Sequence, residues 1–367
     1  MLRRINKLRE YLSENKIDAA FISFQHNVYY FSGFTGGDDA RLIITADKQY
    51  IITDSRYTFQ VAEQCPGFIA EITSALNRNS ISTILEKENI RTLAFENMSV
   101  MYSEYKLLTE IAGEKGIELR EFDYFIEKTL RNYKDSDEIS RIKKACAIAE
   151  ESFIELMSFI KPGMSEREVA TELEYKMRKK GADGPSFDTI VASGVRSSMP
   201  HATASDKIIE QGDIVTIDFG AVYNKYCSDH TRTFFVGEAP ESRKEEFDKL
   251  SEIYEVVRQS QQYAIDNFRY GMTGIDLDTI ARDYIASKGY GEYFAHGLGH
   301  GVGLEVHEQI SVNKRGDNVL ENGYVFSIEP GIYIENLGGV RIEDLFTIVD
   351  YKLVNLSPEV PKKLLVL

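Results

Sequence analysis

The chain has 367 residues, 43% hydrophobic and 28% charged, which suits a soluble protein of two domains with sizeable cores. Its 43 Lys and Arg against 58 Asp and Glu leave a net charge of −15, which excludes a general nucleic-acid binder, because that affinity needs massed basic side chains. The uncharged stretch 19–37 is broken by Gln25, His26, Asn27 and three glycines, so it cannot supply the ~20 apolar residues of a membrane span.

The start MLRRINKLRE has no apolar run behind it, so no secretory signal is expected. Cys65, Cys146 and Cys227 are widely spaced and read as free thiols, which makes the cytoplasm the expected location. Residues 1–128 read as an α/β domain. An amphipathic helix (Ile5, Leu8, Leu12) leads to the apolar strand DAAFISF, and LIITADKQYIITD reads as a hairpin around Asp47-Lys48. FIAEI at 68–72 and TLAFE at 92–96 are further strands, with helical patterns between them. The polar run RNYKDSDEIS at 131–140 has no sustained apolar period, so a linker is expected over 129–140 and a second domain over 141–367.

The second half carries an internal repeat. Gly163-Met164-Ser165 opens a helix that stops at Gly181, and Gly271-Met272-Thr273 opens another that stops at Gly289. Ser165 with Glu168 predicts a capping box, Thr273 caps the second start, and each terminal glycine suits a left-handed stop. A long helical pattern precedes each (142–160 and 244–266), so a two-fold arrangement of helix pairs around a shared sheet is expected.

Three segments carry chemistry. IVTIDFGAVYNKYCSDHTRTFFV at 214–236 reads as a hairpin centred between Tyr223 and Asn224, which places Asp218 opposite Asp229. Such a pair needs a cation or a shared proton between its carboxylates, or is simply two exposed aspartates at a hairpin flank. FAHGLGHGVGLEVHE at 294–308 holds His296, His300 and His307 among glycines that disfavour a helix and allow close backbone approach to a ligand. VFSIEPGIYIENLGGVRIEDLF at 325–346 reads as a hairpin turning at Asn336–Gly339. Glu329 lies in its apolar strand before Pro330, a costly place for a carboxylate unless it is paired or ligated. Glu343 returns on the other strand, facing either the site or an ion pair with Arg341. Two Asp, two Glu and one His make an oxygen-rich site for two divalent cations, suited to Mn²⁺, Co²⁺, Fe²⁺ or Zn²⁺.

With these residues in the order Asp, Asp, His, Glu, Glu, the chain over 135–355 resembles the creatinase, prolidase, aminopeptidase P and methionine aminopeptidase family. The resemblance implies an α/β N-terminal domain plus an α+β "pita-bread" C-terminal domain with a pseudo-two-fold repeat. It implies that Asp218, Asp229, His300, Glu329 and Glu343 bind two metal ions, foremost Mn²⁺, with Asp229 and Glu343 bridging. Glu329 is then the general base, while His307 and His201 contact the substrate carbonyl and line the site, and His296 lies near the leaving side. SGFTGGDDARLIIT and TDSRYTFQ resemble the N-terminal half of aminopeptidase P and prolidase-like enzymes, where Arg56 would reach a neighbouring subunit's site in a homodimer. Asp38-Asp39 departs from the small residue common there, which leaves substrate contact from that loop open. The implied activity is hydrolysis of the bond before a proline at the second position of a peptide. The rivals are a metallohydrolase of another amide and a non-catalytic binding protein on the same fold.

Overall fold

The computed structural model describes residues 2–73 and 77–367. They form two compact units that meet in sequence between Arg131 and Asn132.

In the first unit the elements run α1 (Leu2–Glu14), β1 (Ala19–Ile22), α2 (Gln25–Ser32), β2 (Ala40–Thr45), β3 (Gln49–Thr53), α3 (Thr58–Gln64), β4 (Ile69–Ile72), α4 (Arg78–Lys87), β5 (Thr92–Phe95), α5 (Tyr102–Lys115) and β6 (Glu118–Glu121). Helix α1 buries Ile5, Leu8 and Leu12, one face of a 3.6-residue period. The sheet order is β4-β3-β2-β1-β5-β6. Central β1 and β5 are buried along their whole length, while the edges β4 and β6 are largely exposed and carry Glu71, Glu118 and Glu121, charges that discourage edge pairing. Glu96, just after β5, is buried at the start of α2. Its carboxylate accepts from Ser23 N at 2.5 Å, Phe24 N at 2.8 Å and Asn27 Nδ2 at 2.6 Å.

Residues 136–140, expected in a linker, instead open the second unit's first helix, α6 (Ser136–Met157). Asp135 accepts from the backbone of Asp137 and Glu138, and Glu138 reaches back to Asp135 N. The polar run is thus a capping box, and its acids suit the positive end of a helix. The unit continues with α7 (Glu166–Lys179), β7 (Gly184–Pro185), β8 (Ile190–Ser193), β9 (Asp213–Phe219), β10 (Ala221–Tyr223), β11 (Tyr226–Cys227) and β12 (His230–Val236). Then come α8 (Lys244–Asn267), α9 (Gly274–Ser287), β13 (Gly299–Gly301), β14 (Glu308–Val312), β15 (Val325–Ile328), β16 (Gly331–Ile334), β17 (Gly338–Arg341), β18 (Asp344–Val349) and β19 (Lys352–Asn355).

The repeat is structural. Capping boxes Ser165/Glu168 and Thr273/Asp276 start α7 and α9, and Gly181 and Gly289 follow them with φ of 100° and 86°. Helices α6 and α7 pack Phe153, Leu173 and Met177 on Val215, Ile217, Phe219 and Phe234 of the sheet β12-β9-β8. Helices α8 and α9 pack Val257, Leu277 and Ile285 on Phe326, Ile328 and Phe346 of the sheet β14-β13-β15-β18-β19. Strand alternation leaves Thr216, Asp218, Thr231 and Thr233 on the face of β9 and β12 away from α6 and α7. The three cysteines are buried and, among the described residues, form no disulfide.

Candidate metal centre

The hairpin carrying Asp218 and Asp229 is offset from its expected register. Thr231, not Asp229, pairs with Asp218, and Val222 pairs with Cys227. The turn residues are Asn224 and Lys225, with φ of 47° and 70°, the pattern of a two-residue type I′ loop. Its centre lies one residue beyond the expected one, which moves each partner by two positions. A two-residue shift preserves facing, so Asp218 and Asp229 still share a side.

The second acidic hairpin is interrupted. β15 pairs with β18 (Ile328 with Asp344) and β16 with β17 (Gly331 with Arg341), so one register runs through both ladders and sets Glu329 opposite Glu343 in the gap. Pro330 lacks the N–H a ladder needs. The turn occupies residues 335–337, earlier than the expected 336–339, because Ile334 pairs with Gly338. The freed backbone bonds elsewhere: Glu329 N to Leu298 O at 2.8 Å and Glu343 N to Thr231 O at 3.0 Å. The second bond, with Thr231 Oγ1 donating to Glu343 Oε2 at 2.7 Å, fastens the two hairpins together.

His300 comes from β13. That strand approaches β15 so closely that a Cβ on Gly299 would lie 2.0 Å from Ser327 O, which requires glycine there. His300 Nδ1 lies 3.1 Å from Gly301 O, a pure acceptor, so Nδ1 carries the hydrogen and Nε2 presents a lone pair. That lone pair stands 3.3 Å from Glu329 Oε1 and 3.5 Å from Asp229 Oδ2. Acceptors facing acceptors at this range repel, and the spacing is that of atoms sharing one cation through bonds of about 2.0–2.2 Å. Ligand atoms of Asp229, His300 and Glu343 all lie within 4.8 Å of one another.

Among the described residues, three buried carboxylate oxygens (Asp218 Oδ1, Asp229 Oδ1 and Glu343 Oε1) accept no hydrogen bond. Burial, reinforced by the neighbouring carboxylates, pushes the Asp229 and Glu343 carboxyls well above the ordinary range. Burial raises Glu329 to about 7 against the opposing pull of Arg341, and it lowers His300. Orphaned oxygens, mutually repelling carboxylates and an aimed imidazole lone pair fit divalent cations as the missing partners.

Arg341 does not pair with Glu343, the option its alternation with that residue had left open. The strand ladder is interrupted between β17 and β18, and the guanidinium turns to Asp218, Nη2 donating to Oδ2 at 2.7 Å. Its Nε donates to Thr231 Oγ1 at 2.9 Å and its Nη1 to Tyr333 Oη at 2.9 Å. His296 Nδ1 lies 2.8 Å from Gly297 O and therefore donates, which leaves Nε2 to accept from Tyr333 Oη at 3.0 Å. A directed chain, Asp218–Arg341–Tyr333–His296, thus runs from one acid of the centre to the edge of the site. Tyr333, Thr231 and Ser327, whose Oγ donates to Glu329 Oε1 at 3.0 Å, were not singled out in the sequence, where a hydroxyl in a strand looks like any other.

Asp218, Asp229, His300, Glu329 and Glu343 line one cavity of about 490 Å³ together with His201, His296 and His307. Desolvation holds His296 and His307 down at about 4, so both are neutral at pH 7. The His300 and His307 ring centroids are 4.2 Å apart. In the first unit, Arg56 is held by Asp54 at 2.6 Å and Asp39 at 3.1 Å, which gives Asp39 of the divergent Asp38-Asp39 pair a structural use.

Comparison with known proteins agrees with this geometry. Residues 140–350 match the model of metallopeptidase family M24, and residues 4–131 match the creatinase/prolidase N-terminal domain. The chain is 42% identical over 350 residues to the Xaa-Pro dipeptidase of Pyrococcus furiosus, covering 95% of this chain and 96% of that protein. It superposes on the Xaa-Pro dipeptidase from Bacillus anthracis with a TM-score of 0.92 at 40% identity, covering 100% and 99% of the two chains. The X-Pro aminopeptidase from Thermotoga maritima gives a TM-score of 0.89 at 38% identity, with 99% of each chain covered. The fold is a creatinase-like N-terminal domain followed by an α+β pita-bread domain, and the chain belongs to metallopeptidase family M24.

Proposed function

We propose that this protein hydrolyses the peptide bond between an N-terminal residue and a following proline, in dipeptides or short peptides. The observation that carries the reading is the set of three unpaired buried carboxylate oxygens converging with His300 in a cavity of peptide size. The names of the relatives direct it to Xaa-Pro bonds. A binding protein without catalysis is disfavoured by the intact set of ligand types, and another amide substrate by those same relatives.

Asp218, Asp229, His300, Glu329 and Glu343 would hold two divalent cations. When bound, the cations acidify a water and polarise the scissile carbonyl. Glu329, supported by the Ser327 hydroxyl, takes the proton of the attacking water. His307, neutral and beside His300, donates to the carbonyl oxygen as it gains charge. His201 lines the substrate side, and His296, fixed by Tyr333, faces the departing proline nitrogen.

Manganese is proposed as the working ion, since four carboxylates and one imidazole form a predominantly oxygen cage; Co²⁺, Fe²⁺ and Zn²⁺ are the alternatives. A cytoplasmic location is supported by the three buried thiols outside any disulfide. The family resemblance supports a homodimer, with Arg56 contributed to the neighbouring site. The test is an assay of Xaa-Pro dipeptides and Xaa-Pro-Xaa tripeptides with Mn²⁺, with a chelator as control. Chelator-sensitive release of the N-terminal residue is expected, and cleavage of neither substrate overturns the proposal.

A further inference from the structure

His307 has to be aimed, yet the six-residue connection 302–307 between β13 and β14 that delivers it contains Gly303 and follows Gly301. Among the described residues its ring makes no hydrogen bond and packs on the His300 ring at 4.2 Å, so its direction depends on where the backbone of that connection is held. The residue after it, Glu308, begins β14 and folds its carboxylate back over the loop. Leu304 N donates to Glu308 Oε1 at 3.1 Å. Gly303 makes room for this: a Cβ there would lie 2.5 Å from Glu308 Oε2. The far side of the loop is tied by Cys227 N to Gly303 O at 2.8 Å.

The carboxylate is itself anchored. Lys134 Nζ donates to Glu308 Oε2 at 2.7 Å, and the two side chains are only 1% and 3% exposed. Lys134 comes from far earlier in the chain, where its backbone N bonds Gly323 O at 2.9 Å and the α6 capping box follows at Asp135. A buried ion pair adds little net stability compared with apolar residues of the same size, so its use here is geometric.

We infer that the Lys134–Glu308 ion pair is a positioning device that fixes the 302–307 loop and so aims the His307 imidazole at the substrate carbonyl. The inference rests on the proposed role of His307. Neither Lys134 nor Glu308 touches the substrate; both act through the loop.

The test replaces the pair by apolar groups of similar size, Lys134→Met/Glu308→Leu, in the full chain, with and without His307→Ala. With His307 present, kcat is expected to fall about tenfold with KM changed less than twofold, and bound metal and unfolding temperature close to wild type. In the His307→Ala background the same pair of substitutions should change kcat by less than about twofold. An equal loss in both backgrounds, or no loss in the first, overturns the inference. Should the double variant not fold, Glu308→Gln, which keeps an acceptor for Leu304 N and turns an amide N–H₂ toward Lys134 Nζ in place of its acceptor, is read the same way. Lys134→Arg is expected to retain most of the activity. If wild-type protein cleaves no Xaa-Pro peptide, the functional proposal fails separately. The His307 ring resonance, assigned by its loss in His307→Ala, then reads the positioning claim alone: a shift in the paired variant supports it, and an unchanged resonance overturns it.

Discussion

Glu329 and Glu343 face each other across a gap in a single hairpin, held in register by ladders on both sides and bonded to neither. The surrounding sheet fixes their separation while their backbone groups bond to other elements, Leu298 and Thr231. Two acids so placed have different surroundings. Glu343 is tied by Thr231, whereas Glu329 accepts from the Ser327 hydroxyl and stands 3.3 Å from the His300 ring.

Glu329→Gln keeps the shape and removes the proton acceptor. Turnover of an Xaa-Pro dipeptide is expected to fall by about 10²–10⁴, the usual worth of a positioned base. Steady-state kinetics alongside metal analysis checks this: near-normal kcat with bound metal would remove Glu329 from the proton transfer.

Chelation should reverse a stability order. With Mn²⁺ in excess, wild type should unfold at a higher temperature than Asp229→Asn, because a ligand that binds only the native state adds about 2.7 kcal/mol at a hundred times its Kd. With chelator present, Asp229→Asn should be the more stable, since it removes one of the repelling buried carboxylates. Calorimetry of both proteins under both conditions reads the crossing; the same order throughout would count against a cation between these acids.

Tyr333→Phe cuts the chain from Asp218 to His296 without disturbing a carboxylate. It leaves His296 Nε2 without its donor and Arg341 Nη1 without one of its acceptors. The cost of such orphaned groups is about 1–3 kcal/mol, so kcat/KM should drop about tenfold with bound metal unchanged. Arg341→Lys should do at least as much damage. A single ammonium cannot serve Asp218, Thr231 and Tyr333 from three separate nitrogens.

Glu96 predicts a pH effect remote from catalysis. Burial raises its carboxyl from 4.5 to about 7, so between those values the folded state holds the proton more tightly than the unfolded chain. Stability should therefore decline as pH rises through this window, and the penalty is complete above the folded pKa. Glu96→Gln should flatten that decline, by up to about 3 kcal/mol between pH 4 and pH 8. Thermal unfolding of both proteins at several pH values tests it, and parallel curves would refute it.

The elements governed by local rules were readable in advance. The amphipathic α1, the buried strands β1 and β5, and the capped starts of α7 and α9 follow from periodicity and cap chemistry within a few residues. The four acids and the histidine of the centre also stood out, because carboxylates in apolar strands and imidazoles among glycines are costly without a purpose. What depended on one-residue choices was less legible. Asn224 and Lys225 adopt left-handed backbone without a glycine to announce it, so the turn centre was misplaced by one. DSDE at 135–138 serves a capped helix, although its polarity suggested a joint. Arg341 alternates with Glu343 in sequence, yet the break after β17 sends it to Asp218, a contact 123 residues away that no local pattern encodes.

The tight loop at Asn224–Lys225 has a consequence for how this hairpin can change in length. The pairs on either side of it, Thr231 with Asp218 and Phe234 with Val215, pin the register through their buried faces, so a residue added at the tip is taken up by a longer loop and does not pass into the arms. A slip of one residue in the ladder itself would be another matter, sending Asp229, Thr231 and Thr233 to the helix side. The tip can therefore vary in length while the arms cannot slide.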